Sequence, residues 1–173
     1  MGISSRYSIK YYPAFSIQIT RELITILKFT IQPNIPPVKG VAKYIGSEYS
    51  FDFEPVQSSN YDILIGDLTI SFDANLKARQ IWGYNPSSGW INKKLSLPTV
   101  EQGALILNNE IDSPQSIDGS KAWKTYYDSH TGWICIGTFN VEQYDLAIEF
   151  ATKIFAVLHN GNLKSVWIKP IFM

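Results

Sequence analysis

Apolar and polar residues alternate with a period of two along much of this chain, the spacing of half-buried strands. "AFSIQIT" sets Phe15, Ile17 and Ile19 on one face. "YSFDFEP" reads as a strand that ends at Pro55, since proline cannot donate to a ladder. "YDILIGDLTISFDANLKARQIWGYNP" reads as two strands joined by the polar turn "DAN", a long hairpin that stops at Pro86. "LSLP", "GALILNNEI" and "KAWKTYY" read as further short strands, and "YYDSHTGWICIG" as a hairpin turning at "DSHTG". The three prolines of "QPNIPP" (Gln32 to Pro37) exclude a central strand there. "ELITILKFTI" fits a helix through Leu23, Ile24 and Leu27, while its Ile, Thr and Phe content leans towards strand.

The segment "VEQYDLAIEFATKIFAVLH" satisfies both periods. Tyr144, Ile148, Ala151, Phe155 and Leu158 share a helical face; Ile148, Phe150, Ile154, Ala156 and Leu158 share a strand face. Asn160-Gly161 favours the strand. Both residues accept the positive φ angles of a type I′ turn, and apolar runs flank them on either side. The alternative is Gly161 as a helix C-cap. A C-terminal hairpin is therefore expected, preceded by a short helical turn near Val141 to Asp145. The whole pattern predicts a mostly β fold: one antiparallel β domain over residues 1–173, a sandwich or a strongly curved sheet, with at most one or two short helices.

Composition narrows the function more than the fold. The chain has 15 Lys plus Arg and 15 Asp plus Glu, so no basic surplus favours nucleic acid or anionic lipid. The acidic stretches "NNEIDSPQSID" (Asn108 to Asp118) and "NVEQYDLAIE" (Asn140 to Glu149) contain no Lys or Arg. They are solvated loops or a face for a basic partner. The N-terminal "MGISSRYSIKYY" lacks the apolar core of a secretory signal, and Arg6 stands where a myristoylation motif needs Ser or Thr. The most apolar window, Phe15 to Ile31, carries Arg21, Glu22 and Lys28, which argues against a membrane span. A cytoplasmic location is the expectation.

Catalytic signatures are lacking. No phosphate-binding loop, Gly-x-Ser-x-Gly elbow or His-Glu-x-x-His occurs. The lone Cys135 lies between isoleucines in "WICIG", a place for a small buried hydrophobe, and leaves no partner for an internal disulfide. His130 and His159 fall in predicted turns. A triad of Asp128, Ser129 and His130 fails because adjacent turn residues point apart. Carboxylates are scattered singly; nothing favours a facing pair such as Glu54 with Asp67, and Asp112 and Asp118 lack the spacing of a calcium loop. The reading is a protein that is not an enzyme, with neither cofactor nor metal.

Aromatic residues are the positive feature: five Trp, ten Tyr and nine Phe. Trp123, Trp133 and Trp167 lie within apolar strands and are expected in the core. Trp82, Tyr84 and Trp90 flank the turn "NPSSG" and have two readings, a self-packed turn or an anchor for a protein partner. With the acidic segment at Glu110 and Asp112 they make the first candidate surface. Tyr126, Tyr127 and His130, gathered in "YYDSHTGW", make a second.

"GWICIG" followed by "LKSVWIKP", across roughly the last forty residues, resembles small immunity proteins of bacterial toxin–immunity systems, including contact-dependent growth inhibition. The resemblance implies a non-catalytic cytoplasmic protein that binds one cognate toxin domain and occludes its active site. It carries no binding residue over to a position of this chain. The alternative function is a carbohydrate-binding β-sandwich that stacks sugars on the same aromatics; the missing signal peptide stands against it.

Overall fold

The computed structural model describes residues 26–173. Its strands are β1 (Phe29–Pro33), β2 (Val41–Ile45), β3 (Ser50–Glu54), β4 (Tyr61–Ile65), β5 (Leu68–Phe72), β6 (Ala78–Tyr84), β7 (Ile91–Asn92) and β8 (Glu101–Leu107). There follow β9 (Gln115–Ser116), β10 (Thr125–Tyr127), β11 (Ile134–Gly137), β12 (Leu146–Ala151), β13 (Ile154–His159), β14 (Asn162–Ile168) and β15 (Ile171–Phe172). The only helical pieces among the described residues are the 3-10 turns Ser87–Gly89 and Ser120–Ala122.

The strands form two sheets, ordered β1-β8-β12-β13-β14-β11-β10-β7 and β15-β2-β3-β6-β5-β4-β9. Their inner faces share one core, in which Phe29, Leu105, Ile148 and Ile154 of the first sheet meet Phe51, Phe53, Ile63, Ile70 and Ile81 of the second. This is the expected mostly β sandwich. Both sheets are mixed rather than strictly antiparallel. β7 with β10, β8 with β12, β2 with β15 and β4 with β9 run parallel, and three of these pairs involve a two-residue strand laid on an edge. Loops crossing between sheets bring those strands back from the same end, which local alternation does not encode.

The first sheet has a second, smaller core on its outer face. Cys135, Phe155, Val157 and Trp167 are buried there beneath Leu95 and Val100, with Tyr126, Trp133 and Phe139 alongside. The segment expected as the strand "LSLP" is the irregular strap that supplies Leu95. It is held where the Leu95 N–H donates to the Asp128 carboxylate (3.0 Å) and the Lys93 N–H to the Tyr127 carbonyl (2.9 Å). Covered on both faces, β13 is buried at all of Ile154–Leu158, and a strand buried twice reads as an unbroken apolar run. That explains why "IFAVL" fitted two periods. The strand is the form it takes, and Asn160 (φ 49°) and Gly161 (φ 75°) make the turn to β14.

Two other local expectations need correction. "YDILIGDLTISF" is two strands, because Gly66 at φ 60° and Asp67 turn the chain so that Ile65 pairs with Leu68. Only the next connection is the "DAN" turn, closed by Asp73 N–H to the Lys77 carbonyl (2.9 Å). The 3-10 turn Ser120–Ala122 takes up the first two residues of "KAWKTYY", and the strand starts at Thr125. The turn near Val141 to Asp145 is present as Asp145 N–H to the Glu142 carbonyl (3.1 Å). "AFSIQIT" lies outside the described residues. Among those residues, no helix is long and apolar enough to cross a membrane.

Gly83 controls the placement of β6. Its φ is +123°, and a Cβ there would stand 2.6 Å from the Asp67 carbonyl oxygen. Gly83→Ala should lower unfolding stability by about 1–3 kcal/mol in urea denaturation, with the fold retained.

Candidate binding surface

Strand β6 carries two of the aromatic candidates, Trp82 and Tyr84. A bulge where Ser71 and Phe72 oppose Gln80 and Ala78 leaves Arg79 extra, so Ala78 and Ile81 both reach the core. From Ile81 onward alternation is regular and sends Trp82 and Tyr84 to the outer face of the second sheet. They are 42% and 49% exposed. Trp82 is nonetheless held: its indole Nε1–H donates to Ser71 Oγ (2.9 Å), and the Ser71 hydroxyl donates to Asp62 Oδ1 (2.8 Å), which also accepts from Ser59 (2.9 Å). Tyr84 meets Tyr49 edge to face, with ring centroids 6.4 Å apart. Tyr49, 45% exposed, comes from the β2–β3 turn, which is tied to β6 by Asn85 N–H to the Tyr49 carbonyl (2.7 Å). Tyr49 was not singled out in the sequence. The signal available was its place beside Ser50, which pairs with Tyr84.

Trp90 behaves differently from its two neighbours. Its ring lies 4.6 Å from Tyr44 and stacks at 6.0 Å on Phe51, both of the second sheet, and lies 5.6 Å from Tyr127 of the first. Its Nε1–H donates to the side-chain carbonyl of Asn85. Tyr44 completes the turn by donating to the Asn85 carbonyl (3.0 Å) and accepting from the Ser87 N–H (2.9 Å). The two readings of this stretch therefore divide. Trp90 belongs to a self-packed turn, while Trp82 and Tyr84 face outward.

The other candidates scatter. Glu110 and Asp112 are exposed on the loop that leads into β9, the far edge of the second sheet. Three inter-strand steps separate β9 from β6, about 14 Å. They share the sheet with Trp82 without touching its aromatic group. Tyr126 and Tyr127 point to opposite faces of the first sheet, Tyr126 onto Phe139 (4.7 Å) and Tyr127 into the cluster around Trp90. His130 is exposed in the turn Asp128–Gly132. Asp128 organises that turn, and its carboxyl is held below the ordinary value by the Leu95 N–H first and the His130 and Thr131 N–H groups after it, against the opposing effect of burial.

An open cleft of about 420 Å³ lies where the two sheets meet, lined by Tyr44, Gly46, Ser87, Trp90, Asn92, Tyr127, Phe172 and Met173. The hydroxyl of Tyr44 and the indole N–H of Trp90 are already engaged within the protein, so they offer an entering molecule little but ring edges.

Titratable groups gather at one place that the sequence did not reveal. The buried Asp145 carboxylate meets His159 Nδ1 at 2.8 Å and Lys164 Nζ at 2.6 Å, with a Glu142 carboxylate oxygen 3.8 Å from each of these nitrogens. Glu142, Asp145 and His159 are close enough together to hold a metal ion, but the Lys164 ammonium already supplies the cation there. Burial raises the Asp145 carboxyl, and the Glu142 N–H, Lys164 and His159 outweigh it, leaving the pKa below the ordinary value. Burial also pushes the Cys135 thiol up to about 12, so the thiolate nucleophile is scarce at neutral pH.

Compared with known proteins, the chain matches no protein-family model, no curated protein and no solved structure.

Trp90→Ala should cost about 2 kcal/mol or more in urea denaturation, and Trp82→Ala, at a residue 42% exposed, clearly less than that. Because the folded pKa of Asp145 lies below its unfolded value of about 4, its contribution is present above that pH and is lost as the pH falls through the folded value. Thermal melts should therefore drop on acidification below about pH 4, and Asp145→Asn should flatten part of that slope.

Proposed function

We propose that this chain is a non-catalytic cytoplasmic binding protein that neutralises a cognate toxin domain by covering its active site. The docking face is the outer side of the second sheet around Tyr49, Trp82 and Tyr84. One observation carries the reading: large aromatic side chains stand exposed on an inner strand of a sheet, yet are fixed by the Trp82–Ser71–Asp62 hydrogen bonds and by the Tyr49–Tyr84 contact. Such anchors lose little conformational entropy on binding, and Trp and Tyr dominate the energetics of protein interfaces. The C-terminal resemblance to immunity proteins supplies the kind of partner.

Sugar stacking is a second reading, favoured by the same exposed rings on one side of β6. Calorimetry against a panel of glycans separates the two, since a docking face for protein gives no saturable heat with any sugar.

The decisive test is co-expression with a candidate toxin domain, chosen from the genes that neighbour this chain's own. Protected cells and a co-eluting complex are expected, and Trp82→Ala with Tyr84→Ala should weaken the complex about 30-fold or more. Unprotected cells with no complex overturn the reading. Full protection by the double variant moves the interface elsewhere on the protein.

A further inference from the structure

The balanced composition conceals an uneven placement of charge. Residues 41–90 and 108–118, which build the second sheet and its edge loop, carry nine carboxylates and three cations. The rest of the described chain carries nine cations and five carboxylates. Two of the three cations on the acidic side are engaged locally, Lys43 with Glu54 and Arg79 with Asp73 (3.9 Å).

The excess surrounds the aromatic group. Glu48 precedes Tyr49 in the β2–β3 turn. Asp52 is exposed on β3 and, two residues from Ser50, shares the outer face with Tyr84. Asp67 lies in the β4–β5 turn, and its carbonyl accepts the Tyr84 N–H (3.2 Å). Asp62 stands behind Trp82, one serine hydroxyl away. Among the described residues, Glu48, Asp52, Asp62 and Asp67 have no cationic side chain within salt-bridge distance. Electron-rich rings inside a border of carboxylates suit a cationic side chain, above all a guanidinium, which stacks on indole and bonds carboxylate oxygens in its plane.

We infer that the face around Trp82 receives a basic protein surface, with an arginine of the partner lying against the Trp82 and Tyr84 rings and its charge met by Asp52 and Asp67. The inference rests on reading this face as a docking surface and adds the chemistry of what docks. Net neutrality is no obstacle, because steering depends on the local field.

The test uses the full chain and a stated probe, acetyl-nona-arginine amide, followed by NMR. Saturable shifts of the Trp82 indole N–H and the Tyr49 and Tyr84 amides are expected, with the Trp90 indole unmoved. Raising salt from about 50 to about 300 mM should weaken binding about tenfold, and Asp52→Asn with Asp67→Asn should weaken it similarly at low salt while leaving the melting temperature in place. No shift at Trp82, shifts confined to Asn108–Asp118, or equal binding by the double Asn variant overturns the inference. With the toxin, loss of protection on Trp82→Ala with Tyr84→Ala but full protection and unaltered salt dependence with Asp52→Asn and Asp67→Asn overturns the charge inference and leaves the docking reading standing. Binding of the peptide by a chain that protects against no toxin upholds the basic ligand and removes the toxin.

Discussion

Between Tyr84 and Ile91 the chain passes from the second sheet to the first, and the indole of Trp90 fills the space where it crosses. Rings from both sheets pack around it: Tyr44 and Phe51 on one side, Tyr127 on the other, with Phe172 from the last strand closing the end at 6.3 Å. Apolar burial of this kind carries no directional preference by itself. Direction comes from the hydrogen bonds of Asn85, whose side chain accepts from the Trp90 indole and donates to Thr125 Oγ1 (3.0 Å), and whose N–H reaches the Tyr49 carbonyl. One asparagine thus joins the crossover to the strand behind it and to the turn that presents Tyr49. The positions of Tyr49 and Tyr84 depend on this joint, and the exposed aromatic face is a consequence of a well-filled sandwich end.

Much of the fold was legible in the sequence. The Asn160-Gly161 turn, the break at Pro86, the strand ending at Pro55 and the hairpin around Asp128–Gly132 each rest on a backbone preference that a few adjacent residues impose. What escaped depends on distant partners. The unbroken apolar run of β13 makes sense only once a strap from Leu95 to Val100 covers its outer face. The parallel edge strands β7, β9 and β15 are two residues long and exist because another strand lies beside them. Gly66-Asp67 was a readable turn signal that the continuous apolar character on either side obscured.

Which of the candidate aromatic residues are exposed was legible only in part. Trp82, Tyr84 and Trp90 stand at similar distances from the same turn, and nothing local separates them. The register of β6 against β5 does so, since Ile81 opposite Ile70 in the core forces Trp82 outward. Tyr49 and the carboxylates near the aromatic group come from the β2–β3 turn, β3, β4 and the β4–β5 turn, and no short window along the chain brings them together. The buried Asp145, clasped by His159 and Lys164, is a tether of the same long-range kind, and it fixes the entry to β12 on the opposite sheet.

Hydroxyl-radical footprinting, read residue by residue with mass spectrometry on the free chain and on the chain co-expressed with a toxin domain as its proposed partner, is the most direct test. The expected result is rapid labelling of Tyr49, Trp82 and Tyr84 in the free chain, slow labelling of Trp90 and Trp167, and protection of the first three residues alone in the complex. Labelling of Trp90 as fast as Trp82 in the free chain, or a complex in which Trp82 and Tyr84 stay as reactive as before, would contradict it.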